Sequence, residues 1–113
     1  MKEINVYERY FAADATFHGV KRRAVNLQLV ATSDAGEVFY RIVLSFFPFE
    51  TPDDFRVSWD ACFEKEIYRA KGRRSKKREE EFLSGLHDAA EKLAREHGAV
   101  IDFNRPLIAE RRG

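Results

Sequence analysis

Residues 23–47 read RAVNLQLVATSDAGEVFYRIVLSFF, and this stretch decides the fold. Within 23–32, apolar side chains occupy alternate positions, the period of a β-strand that turns one face to a core. These side chains are Val25, Leu27, Leu29 and Ala31. Residues 37–47 carry apolar side chains on both sets of alternate positions: Val38, Tyr40, Ile42, Leu44 and Phe46 on one, and Phe39, Val43 and Phe47 on the other. That pattern predicts a strand covered on both faces, by a helix on one side and with a partner chain as a candidate cover for the other.

The turn between these two strands is predicted at Ser33-Asp34-Ala35-Gly36. The Asp34 side chain can accept a hydrogen bond from the backbone ahead of it, and Gly36 can adopt the left-handed conformation that closes a short hairpin. The two strands are therefore expected to pair antiparallel.

Strands are also predicted near both ends of the chain. Residues 3–12 alternate apolar and polar side chains, and 13–21, which contains His18-Gly19, is predicted to be a turn. A short strand is expected over 99–103, until Pro106 interrupts it. Residues 109–113 are expected to be a frayed tail.

The segment 52–71 fits two structures. As a strand, Phe55, Val57 and Trp59 begin a nearly clean period of two, and a strand is preferred for 55–63, with an extension to Tyr68 open. As a helix, Thr51-Pro52-Asp53-Asp54 is a good start signal, and an apolar stripe would follow at helical spacing.

A helix is predicted over 76–97. Ser75 is placed to cap it, acidic residues at 79–81 lie near its positive end, and Gly98 is placed to end it. Its apolar positions recur at helical spacing: Phe82, Leu86, Ala89, Ala90, Leu93 and His97.

These elements predict an α+β fold, in which an antiparallel meander of three to four strands packs against one long C-terminal helix and a short strand follows the helix. Residues 1–113 are predicted to form a single domain, since 113 residues of which 44% are apolar provide enough material for one core. The formal net charge of +1 excludes a uniformly basic surface and leaves only local patches as binding sites for acidic partners.

The single cysteine, Cys62, leaves no internal disulfide to form and suits a reducing compartment. The N-terminal residues are too charged for a signal peptide, and no apolar run approaches the length of a membrane span. A cytoplasmic protein without a membrane, metal or cofactor is therefore expected.

The segment 69–78, RAKGRRSKKR, carries seven cationic side chains and no acidic one. Lysine and arginine neutralise phosphates and release counterions, and Gly72 would let the backbone approach a phosphate. The segment predicts a small non-enzymatic binding module that contacts nucleic acid or another polyanion. The predicted contacts are Arg69, Lys71, Arg73, Arg74, Lys76 and Lys77, together with a second basic cluster at Lys21, Arg22 and Arg23. The nucleic-acid hypothesis would gain strength if the fold brought the two clusters to one face, whereas a solvated loop that offsets the charge of 79–81 is the alternative.

A second functional hypothesis rests on the aromatic residues. Phe46-Phe47-Pro48-Phe49 is a dense apolar group at a strand end, and not every ring fits into one small core. Exposed rings at Phe39, Phe46, Phe47 and Phe49 would mark a protein interface, and the chain would then be a regulatory, inhibitor-like protein that forms homo-oligomers such as a homodimer. The alternative is that these rings belong to the core.

Catalytic residues are not predicted. Phosphate-binding loops, nucleophile elbows and zinc-binding histidine motifs have no match in the sequence. His87 and Glu91 lie one helical turn apart without a second pair of ligands, and Cys62 is more typical of a small core residue than of a nucleophile.

Overall fold

The computed structural model describes residues 1–48 and 61–107, and these form five strands and two helices. The strands are β1 (Lys2–Phe17), β2 (Val20–Asp34), β3 (Glu37–Phe47), β4 (Cys62–Lys71) and β5 (Val100–Leu107); the helices are α1 (Lys76–Ser84) and α2 (Leu86–Glu96). All strands pair antiparallel in one sheet of order β4-β3-β2-β1-β5, and both helices pack on the same face. The α+β class is confirmed, but the strand number and the single long helix were predicted wrongly.

The core lies between the helix-bearing face of the sheet and the two helices. Alternate residues of β2 and β3 supply one wall, and the apolar stripe of α2 supplies the other. The fully buried members include Val25, Leu27, Leu29, Tyr40, Ile42, Leu44, Phe46, Leu86 and Ala90. The face of β3 turned away from the helices is also buried at Val43 and Phe47, whereas Phe39 on the same face is half-buried. The predicted burial of this strand on both faces is therefore confirmed for its second half.

The β2–β3 hairpin agrees with the sequence prediction. Asp34 pairs with Glu37, which leaves Ala35 and Gly36 as a two-residue turn. Both turn residues have positive φ, 50° at Ala35 and 78° at Gly36. This is the pattern of the primed turns that match the twist of paired strands.

β1 is longer than the sequence pattern indicates, and the predicted turn over 13–21 is confined to His18-Gly19. The strand passes 13–14 because Ala13 and Asp14 pair with β5 on one side. On the other side the register against β2 shifts between Ala12 and Ala15. A β-bulge of this kind interrupts the pairing with one neighbouring strand, here β2, while the strand itself continues.

The ambiguous segment is a strand where it can be described. Cys62–Lys71 forms β4 and pairs with β3, so the helical interpretation is wrong for these residues. The rest of the predicted strand, up to residue 60, lies outside the described residues. The same is true of Phe49 and of the predicted tail at 109–113.

Pro106 does not end the last strand. β5 runs to Leu107, and Pro106 lies opposite Phe11 of β1. β5 is the edge of the described sheet. On an edge strand, a proline without an N–H is tolerated because only one side of the strand forms hydrogen bonds with a neighbour.

The predicted helix over 76–97 is divided at Gly85, which has φ −108° and ψ 8°. Glycine is a poor helix former, and the preceding Ser84 hydroxyl donates to the Glu81 carbonyl at 2.7 Å, a local bond that competes with regular helix geometry. The caps at the outer ends are as predicted. The Ser75 hydroxyl accepts from the Arg78 N–H, and Gly98 has φ 74°.

The left-handed backbone at Ala35 generates a stability prediction. Ala35→Asn introduces a residue that tolerates this conformation and should raise the free energy of unfolding by up to about 1 kcal/mol. Ala35→Val at the same exposed position should lower it, because a β-branched side chain is strained there. Urea denaturation measures both variants against the native protein, and equal stabilities for the two variants would contradict the turn geometry.

Candidate nucleic-acid interface

The basic segment 69–78 covers the end of β4, a loop at 72–75 and the first turn of α1. The loop is tied to the β2–β3 turn, because the Gly72 N–H donates to the Gly36 carbonyl at 2.9 Å. Gly72 has φ 112°, which other residues rarely adopt, so glycine is needed where the chain leaves the sheet. The segment therefore occupies the end of the sheet that carries this turn.

A cluster around the buried carboxylate of Glu79 fixes the loop to the sheet. Arg74 donates from Nε and Nη2 to the two carboxylate oxygens of Glu79, both at 2.8 Å, and the Tyr40 hydroxyl donates to Glu79 Oε2 at 2.7 Å. Glu79 is only 7% exposed. The two bonds from Arg74 hold the pKa of the Glu79 carboxyl below its usual value, although burial opposes the shift. Arg74, predicted as a nucleic-acid contact, thus already has a carboxylate partner.

The pKa values of Tyr40 and Arg74 are also shifted within this cluster. Burial, followed by the hydrogen bond to Glu79, raises the pKa of the Tyr40 hydroxyl. The hydrogen bonds to Glu79 raise the pKa of the Arg74 guanidinium. The arrangement keeps Tyr40 neutral and as a donor, which is the state that the carboxylate requires.

Arg69 is also paired within the protein. Its guanidinium contacts Glu66 at 2.6 Å and Glu37 at 3.3 Å, and it lies 4.3 Å from the centre of the Phe39 ring. The hydrogen bonds with Glu66 and Glu37 raise the pKa of Arg69. Because two carboxylates share this cation, Arg69 adds little net positive charge to the surface.

Arg78 lies over an aromatic ring. Its guanidinium carbon is 4.3 Å from the centre of the Tyr68 ring, a cation–π contact. Tyr68 in turn packs at an angle against Phe82, with ring centres 5.7 Å apart. The sequence places Arg78 in the basic segment but gives no signal for the ring beneath it, since Tyr68 comes from the pairing of β4 rather than from a local motif.

Four cations of the segment remain turned to solvent. Lys71, Arg73, Lys76 and Lys77 are exposed, and none of the carboxylates that the structure describes forms an ion pair with them. They extend from the end of β4 across the loop to the first turn of α1. We call these four residues the cationic row.

Two concave regions adjoin the cationic row. A cleft of about 600 Å³ lies between the β2–β3 turn and the loop, and its lining includes Lys2, Arg73 and the carboxylates of Asp34 and Glu37. A slot of about 120 Å³ lies between β4 and α1, with Tyr68, Lys71, Arg73 and Arg78 in its lining. The slot is the more strongly cationic of the two, because its lining contains no carboxylate among the described residues.

The second basic cluster does not join the first. Lys21 lies at the start of β2, whereas Lys71 lies opposite Glu37, beside the far end of β2. Asp34 lies thirteen positions after Lys21 in β2, which corresponds to roughly 40 Å along an extended strand. Arg22 is buried and donates to the Phe17 carbonyl at 3.4 Å. Lys21 and Arg23 are exposed at the opposite end of the sheet.

The aromatic residues predicted as a protein interface have different positions. Phe46 is fully buried in the core under the helices, and Phe47 is buried on the other face of the sheet. Phe39 is half-buried, with the Arg69 guanidinium over its ring. Large apolar side chains that are exposed in the described parts of the chain, Met1, Val20, Leu83 and Val100, belong to separate places in the fold.

The groups considered for catalysis are dispersed. Cys62 contacts the Ser45 hydroxyl at 3.5 Å on the face away from the helices, whereas His97 stacks on Phe63 on the helix-bearing face. His87 stacks on Phe103. Within residues 1–48 and 61–107, no group of three or more histidine, cysteine or acidic side chains is placed to hold a metal ion.

Comparisons with protein-family models, with curated proteins and with solved structures gave no match.

Of the helices that the structure describes, neither has the length and apolar character needed to cross a membrane.

The Glu79 cluster predicts a specific dependence of stability on pH. Glu79 titrates near pH 4.5 in the unfolded chain and at a lower pH in the folded one, so its contribution is complete above pH 4.5 and is lost as the pH falls through the folded pKa. Glu79→Gln should lower the free energy of unfolding at pH 7 by about 2 kcal/mol and by less in acid.

Urea denaturation between neutral and acidic pH measures this difference. Glu80→Gln is the matched control, because Glu80 is exposed on the same helical turn. A variant at Glu79 that follows the Glu80 variant at every pH would show that the buried carboxylate does not stabilise the fold.

Proposed function

We propose that the protein is a non-enzymatic binding module that contacts nucleic acid through the cationic row. The observation that carries the proposal is that Lys71, Arg73, Lys76 and Lys77 are exposed and lack a carboxylate partner within the described residues. In a protein with a net charge of +1, such a row is a local concentration of positive charge. A polyanion that meets it releases counterions, which is the main source of sequence-independent affinity for nucleic acid.

The arrangement of the row favours a polymer of phosphates over one small anion. The four side chains follow a strand end, a loop and a helix start. Of the four, only Lys71 and Arg73 line the slot, whereas Lys76 and Lys77 lie outside its lining, so the row as a whole does not converge on one enclosed point. Arg73 borders both the cleft and the slot, so a phosphate chain could pass from one to the other beside it. A single anion would require converging donors in a closed pocket, as is typical of small-ligand sites.

The remaining arginines support the row without joining it. Arg74 holds the loop through Glu79, and Arg69 is held by Glu66 and Glu37. The loop is therefore ordered before any ligand arrives, which lowers the entropic cost of binding. Arg73, its neighbour, has no such partner in the described structure and is the better residue to replace in a binding test.

The proposal predicts a defined dependence on salt. Four phosphate contacts to a single strand give a slope of about −3 in log K against log salt, or about fiftyfold weaker binding between about 50 and about 200 mM salt. Fluorescence anisotropy with a labelled oligonucleotide measures this slope. Lys76→Glu/Lys77→Glu should weaken binding at least tenfold and make the slope shallower by about 1.4, since each contact contributes about 0.7. Arg73→Glu should act in the same direction.

The matched control is Lys21→Glu/Arg23→Glu, which makes the same change in charge at the other end of the sheet. This variant should bind nearly as the native protein does. If the two double variants weaken binding equally, binding follows net charge and the cationic row is not a site.

A further inference from the structure

The slot between β4 and α1 has features that a purely electrostatic surface does not need. Lys71, Arg73 and Arg78 line it, and Tyr68 supplies an aromatic wall. Its volume of about 120 Å³ is below the range of about 300–1,000 Å³ that is typical of small-molecule sites. The slot therefore fits one anionic group, such as a phosphate, rather than a whole nucleotide.

The positive charge of the slot is not offset by a free carboxylate among the described residues of its lining. Glu79 is a buried carboxylate of α1, but its two oxygens are occupied by Arg74 and Tyr40. Ser75, also in the lining, uses its hydroxyl as an acceptor for the Arg78 N–H and so keeps the helix start in place. An anion in the slot would meet three cationic side chains held by an ordered backbone.

A stacking platform adjoins the slot. The Arg78 guanidinium lies over Tyr68, and the Tyr68 ring packs at an angle against Phe82 and Tyr40, whose ring centres are 5.7 Å and 6.1 Å away. Aromatic rings and guanidinium planes are the groups on which unpaired bases stack. A base in a duplex is covered by its neighbours and cannot reach such a platform without being unstacked.

We propose that the segment binds single-stranded nucleic acid, with one phosphate in the slot and the adjacent unpaired base stacked on the Arg78–Tyr68 pair. This inference rests on the function proposed above and adds the class of ligand. The phosphate and the base then contact one continuous surface formed by the end of β4 and the first turn of α1.

The test compares strands that differ only in their bases. The native protein should bind a short oligothymidylate about tenfold more tightly than an abasic phosphodiester strand of equal length, because base stacking adds to the phosphate contacts. Tyr68→Leu should bring that ratio close to one, whereas Tyr68→Phe, which keeps the ring, should preserve it. Arg78→Lys keeps the charge but loses the planar group, and should reduce the ratio while binding of the abasic strand persists.

The two proposals fail in distinguishable ways. If the native protein binds both strands equally, and Lys76→Glu/Lys77→Glu weakens both, the row contacts phosphates alone and the stacking inference is overturned. A ratio that survives in Tyr68→Leu overturns it as well. If the native protein binds neither strand, both proposals fail. Circular dichroism and thermal denaturation establish that each variant is folded. If Tyr68→Leu does not fold, Arg78→Lys carries the test, and an unchanged ratio in that variant overturns the stacking inference.

Discussion

The buried carboxylate of Glu79 is the interaction on which the geometry of this surface depends. A charged carboxylate is costly to bury unless its oxygens are hydrogen-bonded, and here Arg74 and Tyr40 supply those bonds from the loop and from β3. The same three side chains therefore join the sheet, the loop and the start of α1. Removal of one partner would leave a buried charge unpaired, so the loop has one favoured conformation, and the neighbouring cations are displayed from a fixed backbone.

The arginines and lysines of the basic segment make different kinds of contact. Arg69, Arg74 and Arg78 each use a planar guanidinium, in ion pairs with carboxylates or in a contact with a ring. The three lysines of the segment extend into solvent, where a flexible and strongly hydrated ammonium group is suited to a mobile phosphate chain. Arg73 is the exception, since it is the arginine that joins the exposed row. A count of positive charges in the sequence does not separate these roles, because it gives paired and unpaired side chains the same weight.

Local signals in the sequence predicted most of the local parts of this fold correctly. The Ala35-Gly36 turn, the Ser75 cap and the Gly98 terminus depend on residues a few positions apart, and all are present. One local signal was missed, because Gly85 divides the predicted helix. The length of β1 was missed because distant pairing decides it: β1 continues past Ala13 where β5 pairs with it, a contact between opposite ends of the chain. For the site, the sequence identified the basic segment but not the partners of its arginines. Glu79 was assigned to helix-start electrostatics, and only the packing of α1 on the sheet shows that it also binds the loop.

The separation of the two basic clusters bears on how a nearly neutral protein could attract a polyanion. Charges farther apart than the Debye length, about 8 Å at physiological ionic strength, are largely screened from one another. The clusters lie roughly 40 Å apart along β2, so neither strengthens the potential at the other. Long-range steering by a net charge of +1 is also weak. Under the proposed function, affinity at the 69–78 segment would therefore have to come from contacts formed at close range, where the spacing of the exposed cations and the ring beside them would select the polyanion.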